Sequence, residues 1–381
     1  MWIGGKNKEA YAQSLKLTHT TPTHYPSHCI CFLHVQRGSS KSSWQPVVTA
    51  NTTTPGYWLN WRVLICAIWV LSSLVLTFYI ILKYEGPKNL RNRRRETGEE
   101  EEPAGVVYED ELWKPSLREI HPAWLLGYRL VVFIVLLIML ALNVAVDGGS
   151  IFDYYTQWTF TLITLYFGLG ALISMHGCYK YDNKVGGDGT YNFDGDAEQG
   201  IHGASLSAAY PNMSSSSRNF QKTVGGNDRQ IAGFWGYVFQ VIFQMSAGAV
   251  MLTDTIFWFI IVPLLAIKDY KLNFLVINMH SINAVFLVGE VALNCMRFPW
   301  FRISYLFLWT TAYVIFQWIL HSLKSTWWPY PFLDLSDSFS PLWYSSVALL
   351  QILCYGIFAL IMKLKHVTYL RLFPQSYRSS I

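Results

Sequence analysis

Charged residues are scarce in this chain of 381 residues. Asp, Glu, Lys and Arg together make up 14% of it, whereas 52% of the residues are hydrophobic and 16% are aromatic. Soluble domains contain about 25% charged residues. The composition excludes a disordered chain and a nucleic-acid-binding arm. It also argues against an ordinary soluble globule, because so few charges suit a surface that meets lipid rather than water.

Cysteine is also sparse, and several motifs of known chemistry are missing. The six cysteines are scattered, so they form neither a disulfide framework nor a metal-ligand spacing. The chain lacks the histidine-rich boxes of di-iron desaturases and a phosphate-binding glycine loop. His176 and Asp182 do not match the spacing of membrane acyltransferases. We therefore expect neither a metal nor any other cofactor.

Long apolar stretches are what the chain has in abundance. About 20 such residues span a bilayer as a helix, and the sequence predicts an all-α, polytopic transmembrane helix bundle with seven spans. The predicted spans are Trp61–Leu82, Trp124–Val146, Trp158–Met175, Trp235–Val262, Phe274–Leu293, Ile303–Leu320 and Leu342–Met362. The fourth stretch is long enough for two short helices divided near Thr253–Thr255. We expect one tilted helix, because no Gly or Pro marks a turn there.

The distribution of Lys and Arg predicts the orientation in the membrane. The segments that follow the first, third, fifth and seventh spans hold 19 of these residues, whereas the three alternate loops together hold three. Cytosolic segments carry the excess of positive charge. The N-terminus is therefore predicted to lie outside and the C-terminus in the cytosol. A glycosylation sequon at Asn51 then falls on the outer side.

The segments outside the spans divide the chain further. Residues 1–57 are predicted to be a disordered tail, 58–83 the first span, 124–363 a six-span core and 364–381 a cytosolic tail. Residues 84–123 carry a basic run followed by four glutamates, and they read as a solvated linker or as a contact with anionic headgroups. The Gly- and Ser-rich loop 177–232 within the core is predicted to be disordered.

Polar side chains inside the spans are costly in lipid, so each is a candidate functional group. On a helical wheel of the fifth span, one stripe about 80° wide contains His280, Asn283, Glu290 and Asn294. We expect this stripe to face the interior of the bundle. His280 and Glu290 lie about 15 Å apart along the helix, so any partner of His280 must come from another helix. Two further charged residues, Arg129 and Asp254, are expected to form an interhelical ion pair.

Thr156 and His280 are the candidate catalytic pair. In the predicted orientation, both fall in the outer half of the membrane. A hydroxyl beside an imidazole is the minimum for nucleophilic catalysis, since the imidazole removes the proton and the oxygen attacks a carbonyl. The competing interpretation is structural. Threonine in a membrane helix commonly bonds its own backbone, and a histidine there can simply make a packing hydrogen bond.

Three stretches together resemble the androgen-induced and rolling-stone-like family of polytopic membrane proteins. They are Tyr155–Gly168, then Asp254–Trp258 with Asn278–Ser281, and finally His321 with Trp328–Asp334. The resemblance covers about residues 124–363. It implies a six-span core and, from characterised animal members, hydrolysis of esters in which one fatty acid acylates the hydroxyl of another. The catalytic threonine and histidine of those members correspond to Thr156 and His280.

The family pattern has two histidines three residues apart at the second site, whereas this chain has only His280, preceded by Met279. That difference favours a membrane scaffold or signalling protein without catalysis. The alternatives are an intramembrane threonine hydrolase of fatty-acyl esters and a transporter that uses the interior stripe. The expected partners are membrane lipid and, for the hydrolase, an acyl-ester substrate, with no nucleic acid. The protein partners of the cytosolic loops are not predicted.

Overall fold

A computed structural model of the protein describes residues 50–86, 105–187, 230–263 and 274–378. The predicted N-terminal tail up to residue 49 and most of the predicted loop 177–232 lie outside the described residues. Within the described ranges the chain is helical without β-strands, which confirms the all-α class. Seven helices are long and apolar enough to cross a membrane. They are α1 Trp61–Glu85, α2 Pro122–Asp147, α3 Tyr155–Gly187, α4 Phe234–Ile256, α5 Leu275–Leu293, α6 Ile303–Leu323 and α7 Ser340–Leu372.

Each helix lies on one of the seven predicted spans, and α1, α2, α3, α6 and α7 extend beyond the predicted ends. The local sequence explains several of the starts. Asn60 caps α1 by accepting a hydrogen bond from the backbone N–H of Arg62, and Pro122 occupies the first turn of α2, where its missing N–H costs nothing. The fourth span is one helix, as expected, because α4 continues directly into a π-helical turn at Phe257–Ile261.

The fifth span differs from the continuous helix that the sequence predicted. It consists of two helical segments, Phe274–Met279 and Ile282–Leu293, separated by a turn at His280 and Ser281. The side-chain amide of Asn283 donates to the backbone carbonyl of Met279 at 2.6 Å, the carbonyl that the backbone N–H of Asn283 would use in a regular helix. The indole of Trp258 donates to the carbonyl of His280 at 2.9 Å. Side chains therefore replace the helical hydrogen bonds at the break.

Helix α4 lies at the centre of the bundle and contacts α3, α5, α6 and α7. Its inward face packs on α3 through Tyr166, whose ring stacks on Phe239 with 4.8 Å between ring centroids. Helices α2 and α3 form an antiparallel pair, whereas α1 packs against α6 and α7. The outer faces of α1 and α7 are rich in exposed leucine and isoleucine, as expected for surfaces that meet lipid.

Part of the predicted solvated linker 84–123 is folded against the bundle. Residues 105–118 and 373–378, which we call the inner cap, cover the end of the bundle that is predicted to be cytosolic. A short helix at Glu109–Trp113 buries Leu112 and Trp113. Backbone bridges join Pro115 to Asn294 and Leu117 to Tyr377. The apolar residues among the charges of this segment explain the difference, since they are buried rather than left in water.

Candidate functional site

The part of the polar stripe next to the inner cap is a cluster of buried side chains around one ion pair. Arg129 of α2 and Glu290 of α5 are fully buried, and Nη2 of Arg129 lies 2.6 Å from Oε1 of Glu290. The same carboxylate accepts hydrogen bonds from the hydroxyl of Tyr166 at 2.8 Å and from the amide of Asn294 at 3.2 Å. The other guanidinium nitrogen, Nη1, donates to Ser174 at 2.7 Å and to the carbonyls of Leu112 and Gly170.

The predicted ion pair between Arg129 and Asp254 is therefore wrong. Arg129 lies near the first turns of α2 and meets Glu290 at the last turn of α5, whereas Asp254 lies near the opposite end of the membrane at the end of α4. The spacing of charges along the chain does not reveal this difference in depth. Asp254 instead approaches His280, with 3.6 Å between its Oδ1 and the Nδ1 of His280.

All four residues of the predicted stripe are buried, so the stripe faces protein rather than lipid, as predicted. His280 lies in the turn that breaks α5. Its ring stacks on Phe257, with 3.8 Å between ring centroids and 7° between the planes. The neighbours of His280 thus come from α4 and from the turn that follows it. This agrees with the prediction that its partners lie on another helix, since Glu290 is about 15 Å away along α5. His280 thus lies between two irregular segments, which are the turn that breaks α5 and the π-helical turn that begins at Phe257.

Met279, which precedes His280, is held by two amides from other helices. The Nε2 of Gln157 lies 2.9 Å from its sulfur and the Nδ2 of Asn143 lies 3.6 Å from it. These weak contacts bring α2, α3 and the break in α5 together in the half of the bundle that is predicted to be outer. Gln157 follows Thr156 in the chain, so the segments that carry the two candidate catalytic residues lie side by side.

Thr156 lies in the first turn of α3 and is buried. Its Oγ1 lies 3.3 Å from the hydroxyl of Tyr330, which belongs to the segment between α6 and α7. Thr164 and Thr253 differ from it, because each donates to the backbone carbonyl four residues earlier in its own helix. Burial raises the pKa of the Tyr330 hydroxyl, so this group stays protonated at neutral pH.

The hydroxyl of Thr156 borders a small apolar cavity between α3, α4, α6 and α7. The polar groups on its wall are hydroxyls. Its lining includes Tyr155, Thr156, Thr253, Thr310, Tyr313 and Tyr330. The remaining wall is formed by aliphatic and aromatic side chains.

Thr156 and His280 have different immediate neighbours. Thr156 contacts Tyr330 and the cavity, whereas His280 contacts Phe257 and Asp254. Their pairing as nucleophile and base stays a prediction. The contacts of Tyr330, Phe257 and Gln157 were not predicted from the sequence. Tyr330 nevertheless belongs to the Trp328–Asp334 stretch that carries the resemblance.

No group of three or more His, Cys, Asp or Glu side chains that could hold a metal occurs within the described ranges. Cys295, at the inner cap, is no competing nucleophile, because burial raises the pKa of its thiol to about 11. Neither a known protein family, nor a curated protein, nor a solved structure matches the chain. Within the described ranges, seven helices are long and apolar enough to cross a membrane, which supports an integral membrane protein.

Proposed function

We propose that this protein is an intramembrane hydrolase of fatty-acyl esters with Thr156 as its nucleophile. The observation that carries the proposal is the setting of Thr156. Among the described residues its hydroxyl has a hydrogen-bond partner in Tyr330 rather than in its own helix, and it borders an apolar cavity. The apolar lining suits the acyl part of an ester that enters from the bilayer, and the hydroxyl of Thr156 at its border would face the ester carbonyl.

The chemistry would follow the usual course of nucleophilic catalysis. The Oγ1 of Thr156 attacks the ester carbonyl, a base removes its proton, and the alcohol leaves with a proton returned by that base. Water then hydrolyses the acyl-enzyme to release a fatty acid. His280 is the proposed base, as the resemblance to the androgen-induced and rolling-stone-like family implies, and Asp254 would orient its ring. The protonated hydroxyl of Tyr330 would donate to the oxygen that becomes negative.

A fluorophosphonate probe tests this proposal directly. The protein in phosphatidylcholine vesicles should react with the probe, and Thr156→Ala should abolish the reaction. Thr164→Ala is the matched control, because Thr164 is buried in the same helix but bonds to its own backbone. Labelling that persists in Thr156→Ala, with the protein correctly folded, would disprove the role of Thr156.

A membrane scaffold or signalling protein is the second candidate. The observation that favours it is that Thr156 and His280 are held by different neighbours. The folded inner cap would then supply the surface for partners. This candidate predicts no reaction of the wild-type protein with the probe and no loss of function in a folded His280→Ala variant. The transporter alternative lacks comparable support, because the carboxylate of Glu290 is enclosed by Arg129, Tyr166 and Asn294.

A further inference from the structure

A second groove lies between α1, α6 and α7, next to the Thr156 cavity. The two share part of their walls, including Thr310, Val314 and Val347. The groove runs from Leu333 and Tyr344 near the start of α7 to Gln351. Gln351 lies eleven residues after Ser340, which starts α7, or about 16 Å below the helix start. It therefore lies near the middle of a hydrocarbon layer about 30 Å thick.

Gln351 is the unusual residue of this groove. Its side chain is 2% exposed, and no described residue donates a hydrogen bond to its carboxamide oxygen. Two other buried glutamines do have donors for their carboxamide oxygens, since Gln240 accepts from Arg302 and Gln244 accepts from the hydroxyl of Tyr355. A carboxamide oxygen without a donor at this depth is costly, because neither water nor lipid chains satisfy it.

The groove is open to the lipid on the side of α1. Trp69 lines it and is 45% exposed on the bundle surface, whereas Val70 beside it is buried. The rest of the wall combines aliphatic and aromatic side chains with the hydroxyls of Ser73, Thr310 and Thr311. A hydrocarbon chain can therefore approach the groove sideways from the bilayer and bury part of its length against apolar surface.

We propose that this groove binds a long-chain fatty acid in its neutral form, with the carboxyl group on Gln351. A carboxamide offers one donor group and one acceptor, and a neutral carboxyl group offers the complementary acceptor and donor. The ionised form is disfavoured, since a carboxylate without a cationic partner is expensive in the middle of a membrane. Binding at Gln351 does not require hydrolysis at Thr156, although the shared wall would place a released acid beside its binding site.

The test uses palmitic acid that carries a photoreactive diazirine on its chain, with the full-length protein in phosphatidylcholine vesicles. Cross-links mapped by mass spectrometry should fall on α1 and α7 around Trp69 and Ala348. Unlabelled palmitic acid should compete for these sites, whereas methyl palmitate, which lacks the O–H donor, should compete about tenfold less well.

Two variants separate the amide from the groove. Gln351→Leu should remove the roughly tenfold advantage of palmitic acid over methyl palmitate, because the variant can no longer accept a hydrogen bond from the acid. Ala348→Phe should fill the groove and abolish the cross-links, whereas Leu349→Phe, on the lipid-exposed face of the same helix, should leave them unchanged. Equal competition by the acid and its ester, or cross-links that survive Ala348→Phe, would overturn the proposal. The Thr156→Ala variant should bind normally, which separates this result from the test of hydrolysis.

Discussion

Neutralising Glu290 should be among the most damaging single changes in this protein. Glu290→Gln keeps the size of the side chain but leaves the charge of Arg129 buried without a counterion. Three hydrogen-bond contacts between the guanidinium and the carboxylate, at 2.6, 3.1 and 3.2 Å, are lost or weakened. Breaking a buried pair in this way costs about 3–5 kcal/mol. The remaining contacts of Arg129 are neutral acceptors and do not compensate for its charge.

The measurement is equilibrium unfolding in mixed micelles, followed by tryptophan fluorescence as the fraction of SDS rises. Asp110→Asn is the control, since Asp110 pairs with Lys114 at 3.4 Å while about a third of each side chain is exposed. It should cost no more than about 0.5 kcal/mol. The double variant Arg129→Met, Glu290→Leu should be destabilised by at least about 2 kcal/mol less than the sum of its single variants. A cost of Glu290→Gln below about 1 kcal/mol, or additive single changes, would refute a charge-coupled pair.

Three further predictions concern packing, the proposed site and orientation. Gly168→Ala should destabilise the fold by roughly 1 kcal/mol in the same unfolding assay, because its new Cβ would lie 2.8 Å from the ring of Phe133. Gly127 has open space around it, so Gly127→Ala should be neutral or stabilise α2 by up to about 1 kcal/mol. If the hydrolase proposal holds, Asp254→Asn should lower kcat at least about tenfold with little change in KM, since it would disturb only the orientation of His280; an unchanged kcat would remove that role. In sealed membrane vesicles with the cytosolic face outward, protease should digest a tag at the C-terminus but reach one at the N-terminus only after detergent is added, and the opposite pattern would reverse the topology.

The helices and their burial were predictable because they depend on local features of the chain. Runs of apolar residues marked all seven spans, and the period of 3.6 residues placed His280 and Glu290 on one interior face. Neither prediction needs knowledge of the neighbours, since any polar stripe in lipid must turn toward protein. The break in α5 was not predictable in this way. It depends on the amide of Asn283 and on the indole of Trp258, which comes from another helix.

Hydropathy and helical period therefore predict which segments enter the membrane and which of their residues turn inward. Which side chains contact each other became known from the packing of the helices. That packing paired Arg129 with Glu290 rather than Asp254, directed Thr156 toward Tyr330 and a cavity, and left Gln351 facing a groove. The physical reason is that hydropathy and helical period act along one chain segment, whereas a contact between two helices depends on their adjacency, depth and rotation, which many distant residues set together.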